Sequence, residues 1–192
     1  PIFLYSRPTN RNGTESVRIC QPFLNSAMLP DYLQPGLDLI IVGFNPSLRS
    51  AELGHYYARR GNQFWTFMYE AGFTDRLFKP EEDSEILNHN IGLTDIVKRA
   101  TRGIGNLKKE DYQEGFPELQ KKLATFKPRI VCFNGKSGYN KHVRENRNYG
   151  LQTEKLEGAD LFLAPSTSGA LPLPRKEKLS YFQALKDLLE RG

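Results

Sequence analysis

Cysteine and histidine are scarce in this chain of 192 residues, and their scarcity limits the metal chemistry available to it. Cys20 and Cys132 are too few for a four-thiolate zinc or iron-sulfur site, and one pair is too few for a disulfide framework. His55, His89 and His142 are scattered without the spacing of metal ligands. We therefore expect no metal, no cofactor and a reducing compartment.

Long apolar runs are also missing. No stretch approaches the roughly 18 apolar residues of a membrane span, and residues 1–12 include polar residues where a secretory signal needs an apolar segment. These absences argue against a membrane protein and against a secreted one. The length, together with a hydrophobic content of 39%, favours one globular domain.

The net charge of +5 is small but unevenly distributed. Residues 98–147 hold 13 Lys and Arg against 5 Asp and Glu, whereas residues 75–95 hold 6 acidic and 2 basic residues. Concentrated positive charge suits a polyanion that carries phosphates. An ordinary solvated face explains the lysines equally well, so charge alone leaves the partner open.

Three short apolar runs predict the centre of a sheet. Residues 37–42 form the first run, which Gly43 closes, and residues 129–133 and 160–164 form the others. Continuous apolar runs are typical of strands buried on both faces. Because parts of the intervening stretches have helical periodicity, we predict an α/β fold over residues 32–192, preceded by an N-terminal extension at residues 1–31.

Two helices have clear boundaries or faces. Phe64, Met68 and Ala71 make an apolar face after Asn62, a suitable N-cap, and Gly72 is placed to end that helix. Near the C-terminus, apolar residues recur at spacings of three and four and predict a second amphipathic helix: Leu179, Phe182, Leu185, Leu188 and Leu189.

Asn45 stands at the carboxyl end of the first predicted strand. Open α/β sheets place their ligands at this end. Gly43 permits a tight turn and Pro46 restricts the exit, so the backbone around Asn45 is constrained. Asn before Pro is also a common turn opener, and the dipeptide by itself does not decide between a turn and a site.

Five short sequence motifs, which follow one another along the chain, give a more specific indication of function. They are GFNPS at residues 43–47, GHYY at 54–57, GNQFW at 61–65, PRIVCFNGK at 128–136 and APSTSG at 164–169. Together they resemble the motifs of the thymine and mismatch-specific uracil DNA glycosylase family, within the uracil-DNA glycosylase superfamily. The resemblance covers residues 37–192.

This resemblance implies a three-layer α/β/α sandwich with a mostly parallel central sheet. The implied activity is hydrolysis of the N-glycosidic bond of a mispaired or damaged base, uracil or thymine, flipped out of duplex DNA at the start of base excision repair. Extrusion is needed because water cannot approach the bond inside a stacked duplex. We accordingly expect a monomer that acts on double-stranded DNA in the cytoplasm, the nucleoid or the nucleus.

Residue by residue, the resemblance makes Asn45 the group that positions the water. A neutral amide orients water but is a poor proton acceptor. Tyr57 matches the aromatic that stacks on the extruded base, although an ordinary core aromatic would look the same. Phe44, through its backbone N–H, and Ser47 and Asn62 are expected to contact the base.

Asp95 departs from the family pattern, because relatives have Asn or Lys at this position beside the base pocket. A carboxylate there could accept a proton from water, which makes Asp95 a second catalytic candidate. The alternative is that Asp95, or Thr94 before it, caps a helix that begins near Ile96.

The last motif implies a loop that enters the duplex. Matching from Pro165 places Ala170 at the wedge position, and Leu171 is the nearest side chain large enough to replace a base. Alternatively, Leu171 and Leu173 are buried under the last helix. The candidate DNA contacts are Ser166, Thr167, Ser168, Gly169, Ala170, Leu171, Arg175 and Lys176.

Three functions remain in competition at this point. The first is a monofunctional glycosylase, since neither the Asn45 motif nor the Ser166 motif contains the lysine that a bifunctional enzyme needs. The second is a hydrolase of free nucleosides, which would need neither a wedge loop nor a basic stretch. The third is a non-catalytic module that binds mispaired DNA.

Overall fold

The structure, a computed structural model, describes residues 28–191. Its centre is a five-stranded sheet in the order β2-β1-β3-β5-β4, with β4 antiparallel to β5 and all other pairs parallel. The strands are β1 Leu39–Gly43, β2 Ile91–Asp95, β3 Ile130–Asn134, β4 Gly150–Leu156 and β5 Ala159–Ala164. The predicted α/β class with a mostly parallel sheet is confirmed.

Helices cover both faces of this sheet. Alternate residues of β1 divide between two cores, because Leu39 and Ile41 pack with α2 and α5, whereas Ile40 and Val42 pack with α3 and α4. The chain is thus the expected three-layer sandwich. The helices are α1 Leu48–Leu53, α2 Phe64–Glu70, α3 Lys109–Phe126, α4 Ser137–Val143 and α5 Arg175–Glu190, with 3₁₀ segments at Pro80–His89 and Ile104–Asn106.

The three predicted strands are present, and two further strands were not predicted. Every residue of β1 and β3 is buried, which explains their continuous apolar runs. The edge strand β4 alternates between exposed and half-buried residues and carries mostly polar side chains. The short β2, IGLTD, ends in two polar residues that are nevertheless buried. Neither strand has the apolar run on which the prediction depended.

Both predicted helices are confirmed. The Asn62 side-chain oxygen accepts the N–H of Phe64 at 3.0 Å, at the start of α2. Gly72 follows the end of α2 with φ 81° and donates to the carbonyl of Tyr69, the left-handed termination that glycine favours. In α5, Phe182 and Leu185 are fully buried against the sheet.

The packed domain includes residues before Tyr32. Leu29 is buried in the core, the Asp31 carboxylate binds Lys98 and Lys122, and Tyr32 forms a bridge with Leu93. Residues 28–31 of the predicted N-terminal extension therefore pack against the domain. Residues 1–27, with Cys20, and residue 192 lie outside the described residues.

Within residues 28–191, no helix is long and apolar enough to cross a membrane. In the same range, no group of three or more His, Cys, Asp or Glu side chains is placed to hold a metal ion. Cys132 is buried inside β3.

Candidate active site

A pocket of about 490 Å³ opens at the carboxyl ends of the parallel strands. Each of four neighbouring strands contributes to it through Phe44 and Asn45 after β1, Asp95 at the end of β2, Asn134 at the end of β3, and the loop after β5. This is the edge at which open α/β sheets bind ligands. The pocket includes both catalytic candidates and Tyr57.

The Asn45 side chain is held in one orientation by its amide nitrogen. This nitrogen donates to the carbonyls of Pro46 at 3.0 Å and Arg99 at 3.1 Å and to the hydroxyl of Thr101 at 2.8 Å. Because carbonyls can only accept, the opposite flip of the amide is excluded. The Asn45 Oδ1 atom has no protein donor among residues 28–191, so it is left to accept a hydrogen bond from a ligand or water.

Asp95 is the last residue of β2 and does not cap a helix. The backbone after it continues along β1, since Ile96 donates to the carbonyl of Gly43 and Val97 to that of Phe44. The next α-helix, α3, begins only at Lys109. The helix-cap interpretation of Asp95, and equally of Thr94, is therefore wrong.

Burial perturbs the Asp95 carboxyl strongly. The residue is 4% exposed, and its Oδ2 atom is buried without a hydrogen-bond partner within the described part of the chain. Burial raises the pKa of Asp95 to about 7, and the positive charges of Lys98 and Lys122 oppose the rise. Near neutral pH the group can therefore exist in either protonation state, as a general base requires.

Gly43 makes room for this carboxyl. A Cβ atom at Gly43 would overlap Asp95 Oδ1 and would lie 3.5 Å from the Tyr57 hydroxyl. The glycine of the GFNPS string is therefore required by the neighbouring strand and not only by a turn. Sequence analysis missed this reason, because the two residues are paired across the sheet and distant along the chain.

Tyr57 lines the pocket with one ring face already covered. Phe64 stacks on it at 3.7 Å between ring centroids with an interplanar angle of 22°. A planar ligand could stack only on the opposite face. The Tyr57 backbone has φ 57°, an unusual conformation for a non-glycine residue. Burial and the nearby Asp95 charge raise the pKa of Tyr57, so its hydroxyl remains protonated.

Asp83 holds the backbone before Tyr57 and was not identified from the sequence. This carboxylate is 1% exposed and accepts the N–H of Tyr56 at 2.7 Å and the hydroxyl of Tyr32 at 2.8 Å. His55 Nδ1 lies 3.3 Å from it. Asp83 belongs to an acidic stretch whose sequence resembles a solvated segment, so no local signal separates it from its exposed neighbours.

The other expected base contacts also line the pocket, although each has a structural role. Ser47 caps α1 by accepting the Ser50 N–H, and Asn62, one residue before the N-cap Gln63 of α2, accepts the Phe64 N–H. The Phe44 ring packs against α4 at Gly138, where a Cβ atom would overlap the ring. These contacts fix the pocket wall.

The loop after β5 is fastened at Thr167. Its N–H donates to Asn134 Oδ1 and its hydroxyl accepts from Asn134 Nδ2, both at 3.0 Å, while its carbonyl accepts the Gln63 N–H. Thr167 is 1% exposed, so its hydroxyl anchors the loop and is not presented to phosphate as the sequence analysis expected. Lys178, which is also buried, donates to the carbonyl of Ser168 at 3.1 Å.

The tip of this loop reaches the pocket. Ala170, exposed, and Leu171, half-buried, both line it, while Leu173 is half-buried and Gly169 is exposed. The alternative in which Leu171 and Leu173 are buried under α5 is therefore not what the structure shows.

Arg175 and Lys176 open α5 and differ in their surroundings. Arg175 pairs with Glu70 at 2.5 Å and lies 5.4 Å from the Phe67 ring centroid, and its side chain remains 46% exposed. Lys176 is exposed.

Two arginines that the sequence analysis did not single out also line the pocket. Arg59 and Arg102 are exposed and form no ion pair with any residue in the range 28–191. Their guanidinium groups add positive charge at the pocket mouth.

The fold and this pocket together define an α/β enzyme with a polar, carboxylate-containing site beside an aromatic stacking surface. The family model of the uracil DNA glycosylase superfamily matches residues 30–190, and the chain belongs to that superfamily. It is accordingly a DNA glycosylase, a hydrolase of N-glycosyl bonds that acts on DNA in DNA repair.

A solved structure agrees with this assignment. The solution NMR structure of a "putative Uracil DNA glycosylase" from Methanosarcina acetivorans is similar to this chain, with a TM-score of 0.60 and 26% sequence identity. The match covers 86% of this chain and 98% of the other.

Proposed function

We propose that this protein is a monofunctional, mismatch-specific glycosylase that flips uracil, and also thymine, out of duplex DNA and hydrolyses its glycosidic bond. It would act as a monomer and start base excision repair. The observation that carries the proposal is that one pocket holds the oriented Asn45 oxygen, the buried Asp95 carboxyl and the Tyr57 ring. These are the groups needed to place water, remove its proton and hold a base.

The proposed division of labour follows from the chemistry of the two polar groups. Asn45 Oδ1 accepts a hydrogen bond from the attacking water and fixes its direction, while its nitrogen is held by three acceptors. Asp95, with a pKa raised by burial to about 7, takes the proton as the water attacks C1′. The base, stacked on the open face of Tyr57, leaves from its sugar.

Base flipping exposes the glycosidic bond to the attacking water. A base inside the duplex shields its glycosidic bond, and a mispaired base is the cheapest to unstack. Leu171, at the tip of the loop that Thr167 and Lys178 fasten, is the apolar side chain best placed to fill the vacated position, with the small Ala170 beside it. Ser166, Ser168, Gly169, Arg175 and Lys176 remain candidate contacts to the DNA backbone.

A monofunctional reaction is supported by the composition of the pocket. Within residues 28–191, no lysine lines it, so no amine is placed to attack the sugar and form a Schiff base. The carboxyl and amide groups present favour water as the nucleophile.

The two competing functions have less support. A free-nucleoside hydrolase has no use for Arg59 and Arg102 at the pocket mouth, whereas polymeric phosphate does. A non-catalytic mismatch binder would be favoured if Asn45 were too weak alone and Asp95 were only a helix cap, and Asp95 instead ends strand β2.

A panel of duplexes tests the proposal. Each duplex carries one uracil, thymine, hypoxanthine or ethenocytosine opposite G or A, and abasic sites are scored under single-turnover conditions. We expect release of uracil from G·U pairs, lower release from G·T pairs, and no product trapped by borohydride. Release from free deoxyuridine but not from duplex would replace the proposal with the nucleoside hydrolase. If the parent protein and Asn45→Ala both bind the duplexes and neither releases a base, the non-catalytic binding module replaces the proposed glycosylase.

A further inference from the structure

A second concave surface lies apart from the pocket, between the first turns of α3 and the C-terminal end of α4. It has a volume of about 680 Å³, and we call it the basic groove. Its lining includes four cations and one histidine: Lys108, Lys109, Lys141, Arg144 and His142. No acidic side chain of residues 28–191 lines it.

The cations of the basic groove are not neutralised within the fold. Lys108, Lys109, Lys141 and Arg144 are exposed and form no ion pair with any residue described. Of the acidic residues nearby in sequence, Asp111 binds Arg99 and Glu145 binds Arg147, while Glu110 and Glu114 are exposed and do not line the groove. Several unpaired cations on one concave surface indicate a binding site for an extended anion. This interpretation fits them better than an ordinary solvated face does.

Tyr112 is the buried aromatic residue of the groove. The residue is 7% exposed, lines the groove, and has a buried hydroxyl with no hydrogen-bond partner in residues 28–191. Buried polar atoms without a partner are rare in folded proteins. The Lys141 ammonium lies 6.0 Å from the centroid of the same ring. The Tyr112 ring therefore forms part of the groove wall beside Lys141, and its buried hydroxyl is not accessible to a ligand in the groove.

The groove adjoins the base pocket along two paths. Gly105 lines the pocket and Leu107 lines the groove, two residues apart and so separated by at most about 7 Å. On α4, Ser137 lines the pocket and Lys141 lines the groove one turn later, a rise of about 6 Å. The pocket and the groove are therefore adjacent, both along α4 and along the segment before α3.

We infer that the basic groove binds backbone phosphates of the DNA strand that carries the flipped base, on one side of that base. The inference rests on the proposed function for the location of the base. The phosphates hold the strand on the protein and set its position relative to the pocket, and they carry no sequence information.

Salt dependence of binding tests the inference. The probe is a labelled duplex with one tetrahydrofuran abasic analogue opposite dG, titrated from about 50 to about 200 mM salt. Lys108→Ala/Lys141→Ala should make the slope of log K against log salt shallower by about 2, because each phosphate contact contributes close to one counterion. The matched control, Lys121→Ala/Lys155→Ala, removes two exposed lysines outside the groove and should keep the parent slope. Equal slopes for the two double variants would overturn the inference.

Shortened duplexes locate the contact. In one, the damaged strand ends just beyond the abasic analogue on its 5′ side, and in the other on its 3′ side. We expect the difference between groove and control variants to vanish on one of these and to persist on the other. Persistence on both would show that the lysines act through long-range charge, and would contradict a phosphate contact in the groove.

The outcomes remain separable from the proposed function. If the parent releases no base from any duplex, the proposed function fails, while the slopes on the abasic duplex still decide the groove. If polyglutamate binds the parent but not the groove variant, and the DNA slopes are equal, the groove serves an acidic protein segment and the inference is wrong.

Discussion

Replacing Asp95 with asparagine removes the buried carboxyl of the pocket and keeps nearly the same shape. General-base assistance is typically worth about 10² to 10⁴ in rate, so Asp95→Asn should slow single-turnover release of uracil by that amount. Asn45 still orients water in the variant, so measurable release should remain. The control is Asp187→Asn, which removes an exposed carboxylate of α5 and should release uracil at the parent rate.

The pH dependence sharpens this prediction. With a pKa of about 7, Asp95 is only about 1% ionised at pH 5, so release by the parent should fall about 100-fold between pH 8 and pH 5. The rate of Asp95→Asn should lack this limb. A profile that is the same in both proteins would assign the limb to another group.

Stability provides an independent measure of the same carboxyl. Its pKa is raised in the folded state from 3.8 to about 7, so the protonated form is favoured by folding. The corresponding stabilisation, on the order of 4 kcal/mol, is present below about pH 4 and is lost as the pH rises to about 7. Relative to Asp95→Asn, the parent should therefore lose unfolding free energy over this range, as measured by urea denaturation.

Unchanged base release by a stable Asp95→Asn protein would refute the catalytic role of Asp95.

Three further substitutions test the surroundings of the pocket. Tyr57→Ala should slow base release by about 5- to 150-fold through lost stacking, worth about 1 to 3 kcal/mol, and Tyr57→Phe should slow it less; equal rates for both and the parent would remove Tyr57 from the base site. Gly43→Ala should push the Asp95 carboxyl out of place and reduce single-turnover release as much as Asp95→Asn does, with circular dichroism as the check on folding; parent-like release would contradict the overlap. Asp83→Ala should lower the unfolding free energy measured in urea by about 3 kcal/mol, because the Tyr56 N–H and the Tyr32 hydroxyl lose their acceptor. The control Glu81→Ala, at an exposed position, should have little effect. Equal stability of the two variants would show that Asp83 does not hold this loop.

The sheet illustrates how far local pattern reaches. Strands β1, β3 and β5 were predictable because burial on both faces demands a run of apolar residues. Strand β4 escaped because it lies at the sheet edge, where half of its side chains face solvent. Strand β2 escaped because it is short and ends in polar residues whose burial depends on neighbouring elements.

The site shows the same division. Asn45 and Tyr57 were predicted from strings whose order resembles a known family, and the pocket contains both. Asp95 could not be decided from the sequence, because the same side chain suits a helix cap and a buried strand end. The anchoring of Thr167 by Asn134 and the pairing of Arg175 with Glu70 join residues 33 and 105 positions apart, and no local pattern predicts such contacts.

By itself, the sequence determined the buried strands, the end of α2 before Gly72 and its start within two residues of Asn62, and the order of the strings that resemble the family. Each of these depends on residues that are neighbours along the chain, through periodicity, capping or turn chemistry. Only the tertiary structure decided that the Asp95 carboxyl is buried with a raised pKa, that Asp83 holds the backbone before Tyr57, and that cations of α3 and α4 form one groove beside the pocket. Charge, desolvation and hydrogen bonding at these places arise between segments that meet only when the sheet and its two helical layers assemble.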